Sequence, residues 1–215
     1  TPSTVVTSLA DSGAGSLRQV VTDALPGSTI TFGVNGTITL TSGAIGINNN
    51  LTINGPGAGL LTISGNNTDR ILVTGGAGSI VNLSGMRLPA GHGPAGYDGG
   101  AIYVTINTTV NISGMQFDNN SASGNSCCEK GGAIFSEGAL TITNTSFLSN
   151  SAVQMASAVA VWPTGTSLSI TNSCLLNNTG ASNYAVDSSV TTTISGNWWG
   201  DPGGPGANGV NNSIP

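Results

Sequence analysis

The chain has 215 residues, 33 of them Gly, with only 6% charged and a net charge of −5. Without a basic run it is not expected to bind nucleic acid, and without a long apolar run it is not expected to insert in a membrane. The length fits one domain, and regularly placed Ile, Leu and Val give it a core that a disordered polar chain lacks.

The chain opens on an extended stretch, Thr1 to Leu9, in which Val5, Val6 and Leu9 are apolar. A loop, Asp11 to Ser16, follows. Leu17, Val20, Val21, Ala24 and Leu25 then fall at i, i+3 and i+4 spacing, which predicts a short amphipathic helix. Ser16 and Gln19 have the spacing of a capping box, and Pro26-Gly27 ends the helix. Arg18 is expected to pair with Asp11 or Asp23. Residues 1–27 thus read as a strand and a cap, 28–199 as the body, and 200–215 as a Gly/Pro-rich tail.

Residues 28–65 hold strand-like runs in quick succession: STITF, GTITLT, LTING and LLTISG. Beyond them the same short pattern returns every 24 to 30 residues, in VNLSGMRL, VNISGMQF, LTITNTSFL, LSITNSCL and TTISGNWW. The apolar anchors are Leu83, Ile112, Ile142, Ile170 and Ile194, flanked by small polar residues at the period of a half-buried strand. A second set of anchors is Ile71, Ile102, Ile134, Val159 and Val186. Two residues after the first anchors come Gly85, Gly114, Asn144, Asn172 and Gly196, residue types that enter the left-handed region cheaply. Gly55 and Gly65 stand at the same offset from Ile53 and Ile63. Five residues after the anchors come Leu88, Phe117, Phe147, Leu175 and Trp199, a second inward stack. Strand, left-handed corner, strand and variable loop describe one turn of a parallel β-helix, because a repeat too small to bury its own apolar face must stack on its neighbours. A sandwich of tandem hairpins would need short Asn-Gly or Asp-Gly turns instead.

Few residues carry chemistry. His92, the single histidine, lies in a Gly/Pro-rich excursion from Leu88 to Asp98 and reads as a surface residue. The nine acids are Asp11, Asp23, Asp69, Asp98, Asp118, Glu129, Glu137, Asp187 and Asp201; no two share a repeat position on adjacent coils. Hydrolysis or lyase chemistry needs clustered acids, bases or cations, so no enzyme and no catalytic residue is expected. No Cys/His spacing suits zinc, and no cofactor or metal is expected. The cysteines leave two readings open: a bridge from Cys127 or Cys128 to Cys174, or three free thiols. The positions beside the first anchors are all small, polar and neutral: Thr52, Thr62, Asn82, Asn111, Thr141, Ser169 and Thr193 before them, with Thr143 and Thr171 among those after. Stacked coil upon coil they predict a flat hydroxyl- and amide-rich face, read either as plain solvated strand surface or as a binding face. At the ends, Val5, Val6 and Leu9, and Trp198 with Trp199, are candidate assembly contacts. The opening strand either adds to another subunit, which would build a head-to-tail filament, or folds back on its own first coil.

Gly-Gly-Ala-Ile at 99–102 and 131–134, with Phe-x-x-Asn at 117–120 and 147–150, resembles the repeats of polymorphic outer-membrane proteins among autotransporter adhesins. The opening DSGAGSLR with GSTITF, and the closing NWWGDPGGP, resemble segments of secreted bacterial right-handed β-helix proteins. The resemblance implies a right-handed helix and an extracellular or cell-surface location. A chain beginning at Thr1 fits that location as a secreted protein whose signal peptide has been removed. The expected function is a non-catalytic structural or adhesive β-solenoid. Its expected partner is itself, as the subunit of a filament, or environmental glycans. The alternatives are a polysaccharide lyase or glycoside hydrolase on the same scaffold, and an ice- or glycan-binding module.

Overall fold

The computed structural model describes residues 2–124, 129–180 and 184–200, and the backbone of 210–212. Its strands pair in parallel and stack into a β-helix with sheets of eight, seven, six and four strands. One coil shows how the sequence drives the chain around. Thr109–Ser113 lies in the eight-stranded sheet, and Gly114 turns the chain with φ 58°. Gln116–Asp118 enters the six-stranded sheet, and Asn119 turns it again with φ 53°. Ser121–Ala122 adds to the four-stranded sheet, and after a loop Ile134–Ser136 adds to the seven-stranded sheet. Ala139–Thr143 then opens the next coil directly on Thr109–Ser113.

The anchors stack as their spacing predicts. Leu83, Ile112, Ile142, Ile170 and Ile194 are register partners in successive strands. The first four are buried, and Ile194 packs on the core from the last coil. Leu88, Phe117, Phe147 and Leu175 form the second column, with the Phe117 and Phe147 rings stacked at 5.0 Å. The corner residues Gly85, Gly114, Asn144, Asn172 and Gly196 all have positive φ. The Gly-Gly-Ala-Ile runs have a separate cause. The first glycine of each, Gly99 or Gly131, has positive φ. The second has no room for a side chain: a Cβ on Gly100 would lie 2.1 Å from the Gly132 carbonyl oxygen, and one on Gly132 2.2 Å from that of Ser157.

A buried asparagine column holds the corner after the Phe column. Asn120 Nδ2 donates to Asn150 Oδ1 and Asn150 Nδ2 to Asn178 Oδ1, each at 2.9 Å. The same oxygens accept from the backbone of the preceding coil: Asn120 N–H donates to Asn150 Oδ1 at 3.1 Å and Asn150 N–H to Asn178 Oδ1 at 3.0 Å. Each amide thereby satisfies polar groups that a buried turn would otherwise strand.

Several expectations need correction. Thr62 does not join the column of the first anchors: Leu61–Ser64 lies in the six-stranded sheet, with Thr62 between Thr37 and Arg87. Gly55 and Gly65 do not turn the chain through positive φ; they are glycines because a Cβ would meet the carbonyl oxygens of Gly85 and Ala90 at 2.2 and 2.7 Å. The second anchor column is shifted by one residue at its start, with Leu72 rather than Ile71 opposite Ile102. At that corner two consecutive residues are buried, since the N–H groups of Ala101 and Ile102 both donate to the Ala133 carbonyl. Period two therefore fails there, and Ile71 takes the alanine position.

The cap helix spans Leu17–Asp23, with Ser16 Oγ accepting from Gln19 N–H. The capping box is only half made, because the Gln19 side chain donates to Asp23 instead of returning to Ser16. Arg18 pairs with Asp11 at 2.7 Å and donates to the carbonyls of Gly43 and Ala44. The opening strand, Val5–Val6, pairs with Thr31 and Phe32 of its own first coil, so folding back is the arrangement formed. Val6 is buried and Leu9 packs on the core, while Val5 remains exposed. At the other end Trp199 packs on the core and Trp198 is exposed. In the tail, Val210–Asn212 returns as one further short strand on Val186–Ser188.

Candidate functional site

Two outer faces differ sharply in chemistry. On the eight-stranded sheet, Thr29, Thr52, Asn82, Asn111, Thr141, Ser169 and Thr193 form one in-register row. Asn54, Ser84, Ser113, Thr143, Thr171 and Ser195 form a second row beside it. Successive members stand about 4.8 Å apart along the axis. Neither row holds a charge. The predicted face is thus assembled, apart from Thr62. Side-chain hydrogen bonds order part of it: Asn111 Nδ2 donates to Asn82 Oδ1 at 2.9 Å, Asn82 Nδ2 to Thr52 Oγ1 at 3.1 Å, and Ser84 Oγ to Asn54 Oδ1 at 2.8 Å. Between the rows runs a shallow trough of about 160 Å³, lined by Asn82, Ser84, Asn111, Ser113, Thr141 and Thr143 over Leu83 and Ile112.

The seven-stranded sheet carries what the first face lacks. Its outer row runs Gly46, Val73, Tyr103, Phe135, Ala160 and Asp187. Tyr103 and Phe135 stack at 5.8 Å, and Trp162 tilts against Phe135 at 6.4 Å. Arg70 lies over both Tyr97 and Tyr103, 5.3 and 4.8 Å from the ring centres, and donates from Nε to the Asp98 carbonyl. Lys130 Nζ sits 3.6 Å from the Trp162 ring centre, and the Lys130 N–H donates to Asp98 Oδ1 at 2.8 Å. The Tyr103 hydroxyl donates to Glu137 Oε2 at 2.5 Å.

This face also perturbs its ionisable groups. Burial, reinforced by the hydrogen bond to Glu137, pushes the Tyr103 hydroxyl up to about 12. Burial raises the Asp98 carboxyl against the opposing pull of the Lys130 N–H and the nearby cations. Burial also lowers the Arg70 guanidinium, although Asp69, Tyr103 and Asp98 favour its charged form. Residue-by-residue alignment missed this cluster, because Asp98 and Lys130 share one offset from the second anchors and Glu137 and Trp162 another, but each slot changes residue type from coil to coil.

The remaining candidates are separate. Asp118 is buried on the six-stranded sheet, where Arg87 Nε donates to it at 2.7 Å, and so lies apart from Glu137. His92 Nδ1 is 2.8 Å from Ser121 Oγ at the start of the four-stranded sheet. Cys174 is a free thiol, raised by burial. Cys127 and Cys128 lie outside the described residues, so a bridge to them is not placed. Among the described residues no group of three or more His, Cys, Asp or Glu could hold a metal ion, and no helix is long and apolar enough to cross a membrane. No protein-family model, curated protein or solved structure matches the chain. The repeats therefore stand as a parallel β-solenoid, without a family match behind the resemblance to autotransporter adhesins.

Proposed function

We propose that this chain is a non-catalytic, extracellular adhesive solenoid that lies along neutral, hydroxyl-rich polysaccharide through its eight-stranded sheet. The observation that carries the reading is the pair of uninterrupted neutral rows with a trough between them. Amide and hydroxyl groups repeating at the coil spacing offer a polymer the same hydrogen-bonding set at each step, and multiple weak contacts add along one rigid axis. Charged side chains, which normally keep a strand face solvated and apart from others, are missing from both rows. A non-catalytic role is favoured because the acids are engaged structurally: Asp118 with Arg87, Asp98 with the Lys130 N–H, and Glu137 with Tyr103. An environmental glycan is preferred to a filament partner because Val5–Val6 is already seated on its own coil.

Pull-down on cellulose, chitin and mannan tests this. Wild type should be retained on at least one, without releasing soluble sugar. Thr141→Glu places a carboxylate mid-row on an exposed site and should weaken retention about tenfold at unchanged melting temperature. Retention on none of the three, or equal retention of Thr141→Glu, would refute the reading.

A further inference from the structure

We infer a second, independent site on the seven-stranded sheet, built to take a short neutral oligosaccharide. Its parts come from three successive coils. Tyr97 precedes the strand Ile102–Val104, Glu137 follows Ile134–Ser136, and Trp162 follows Val159–Val161. The two rings therefore belong to coils two steps apart, an axial offset of roughly 10 Å, and come from loops at opposite ends of the parallel strands. Both are exposed, Tyr97 by 59% and Trp162 by 39%, on a chain with few exposed aromatics. A surface ring normally costs solubility, and two beside a carboxylate mark a binding surface.

Each ring is held from behind. Arg70 backs Tyr97 and Lys130 backs Trp162 through cation–π contacts, so each presents its remaining surface in a fixed orientation. The apolar C–H face of a pyranose stacks on such a ring. Its hydroxyls need acceptors in the same plane, and Glu137 lies on the coil between the rings. The Tyr103 hydroxyl fixes Glu137 Oε2 and leaves Oε1 for a sugar hydroxyl. Charge selects the class. Arg70 and Lys130 lie against the rings and close to Asp98, so the side chain left to meet a sugar on the coil between the rings is the Glu137 carboxylate, which accepts from a neutral hydroxyl and repels an acidic sugar. A neutral sugar of more than one unit is needed to engage rings two coils apart together with this acceptor.

The test is a tryptophan-fluorescence titration of the full chain with cellohexaose, mannohexaose and chitohexaose, and with the hexamer of galacturonic acid as the acidic arm. At least one neutral hexamer should bind saturably, and the acidic hexamer at least tenfold more weakly. Tyr97→Ala and Trp162→Ala should each weaken binding about tenfold, read by calorimetry where the fluorophore is lost. Glu137→Gln, which keeps the shape, should weaken it several-fold, and Trp162→Tyr should retain it. Thr141→Glu on the adjoining eight-stranded sheet must leave the tryptophan-fluorescence response unchanged, which separates this site from the polysaccharide face. Absence of saturable binding to all three neutral hexamers overturns the inference. So does a saturable response that survives both ring deletions, or a tryptophan-fluorescence response lost in Thr141→Glu.

Discussion

Replacing Asn150 with Ala tests whether the buried asparagine column holds the coils together. Asn150 is fully buried. Its Oδ1 accepts from the Asn120 N–H at 3.1 Å and from Asn120 Nδ2 at 2.9 Å. Its Nδ2 donates to the Phe117 carbonyl at 3.1 Å and to Asn178 Oδ1 at 2.9 Å. Truncation removes all four bonds at once. The Asn120 N–H, buried with no other partner, costs about 1–3 kcal/mol when orphaned. Adding the other three bonds and the small cavity brings the expected loss to roughly 3–5 kcal/mol. Asn150→Asp gives a second reading at equal volume. It keeps both accepted bonds, loses both donated ones when ionised but can still donate one O–H when protonated, and its burial favours the protonated form. A folded pKa above the unfolded value of about 3.9 means the variant is best tolerated below that pH. Its deficit against wild type should widen as pH rises through the folded pKa. Urea unfolding followed by far-ultraviolet circular dichroism at several pH values measures both. A loss below about 1 kcal/mol for Asn150→Ala, or a deficit of Asn150→Asp that does not change with pH, would show that the column is not a structural element.

Ile142→Asp puts an unpaired carboxylate in the first anchor column and should leave the chain unfolded at room temperature; melting at the wild-type temperature would refute the column. Although burial pushes the Asp11 carboxyl up, hydrogen bonds from Arg18, Thr41 and Ser42 together hold it well below the usual carboxylate range. Its folded value is depressed, so its contribution is complete above the unfolded pKa of about 3.9 and is lost as pH falls below that value towards the folded one. The urea midpoint should drop between pH 5 and pH 2 more in wild type than in Asp11→Asn, and equal drops would refute the role of this cap contact.

The repeat was legible because three constraints coincide in each coil: an inward aliphatic residue, a Gly or Asn that can adopt positive φ two residues later, and a large apolar residue three beyond that. Where one constraint is replaced, the reading slips. LTIN at 51–54 and LTIS at 61–64 have the same alternation. Alternation says which face of a strand is buried and not which sheet the strand joins. The sheet depends on the corner before it, and after Leu51–Asn54 the turn passes through Gly57, φ 135°, rather than Gly55. Ile71 slips for a related reason, since a corner that buries two successive residues removes the period on which the alignment rests.

The charged and aromatic face was hidden by the same logic. Alignment detects residues that recur at one offset, and this cluster is made of residues that do not recur. Arg70 precedes its strand by two residues and Asp98 and Lys130 theirs by four, whereas Glu137 and Trp162 each follow theirs by one, so the slots repeat but the residue types in them do not. Only folding brings both flanks over one sheet. One signal was nonetheless present in the repeats. The outward position after the second anchor reads Val73, Tyr103, Phe135, Ala160 and Asp187, while the outward positions beside the first anchor are Thr, Ser or Asn throughout. Two adjacent coils placing aromatic rings outward break the rule that this chain otherwise keeps. In a solenoid whose surface is small, neutral and polar, such a departure is where a specific ligand site is to be sought, because a backbone repeated coil after coil leaves side-chain exceptions as the main source of specificity.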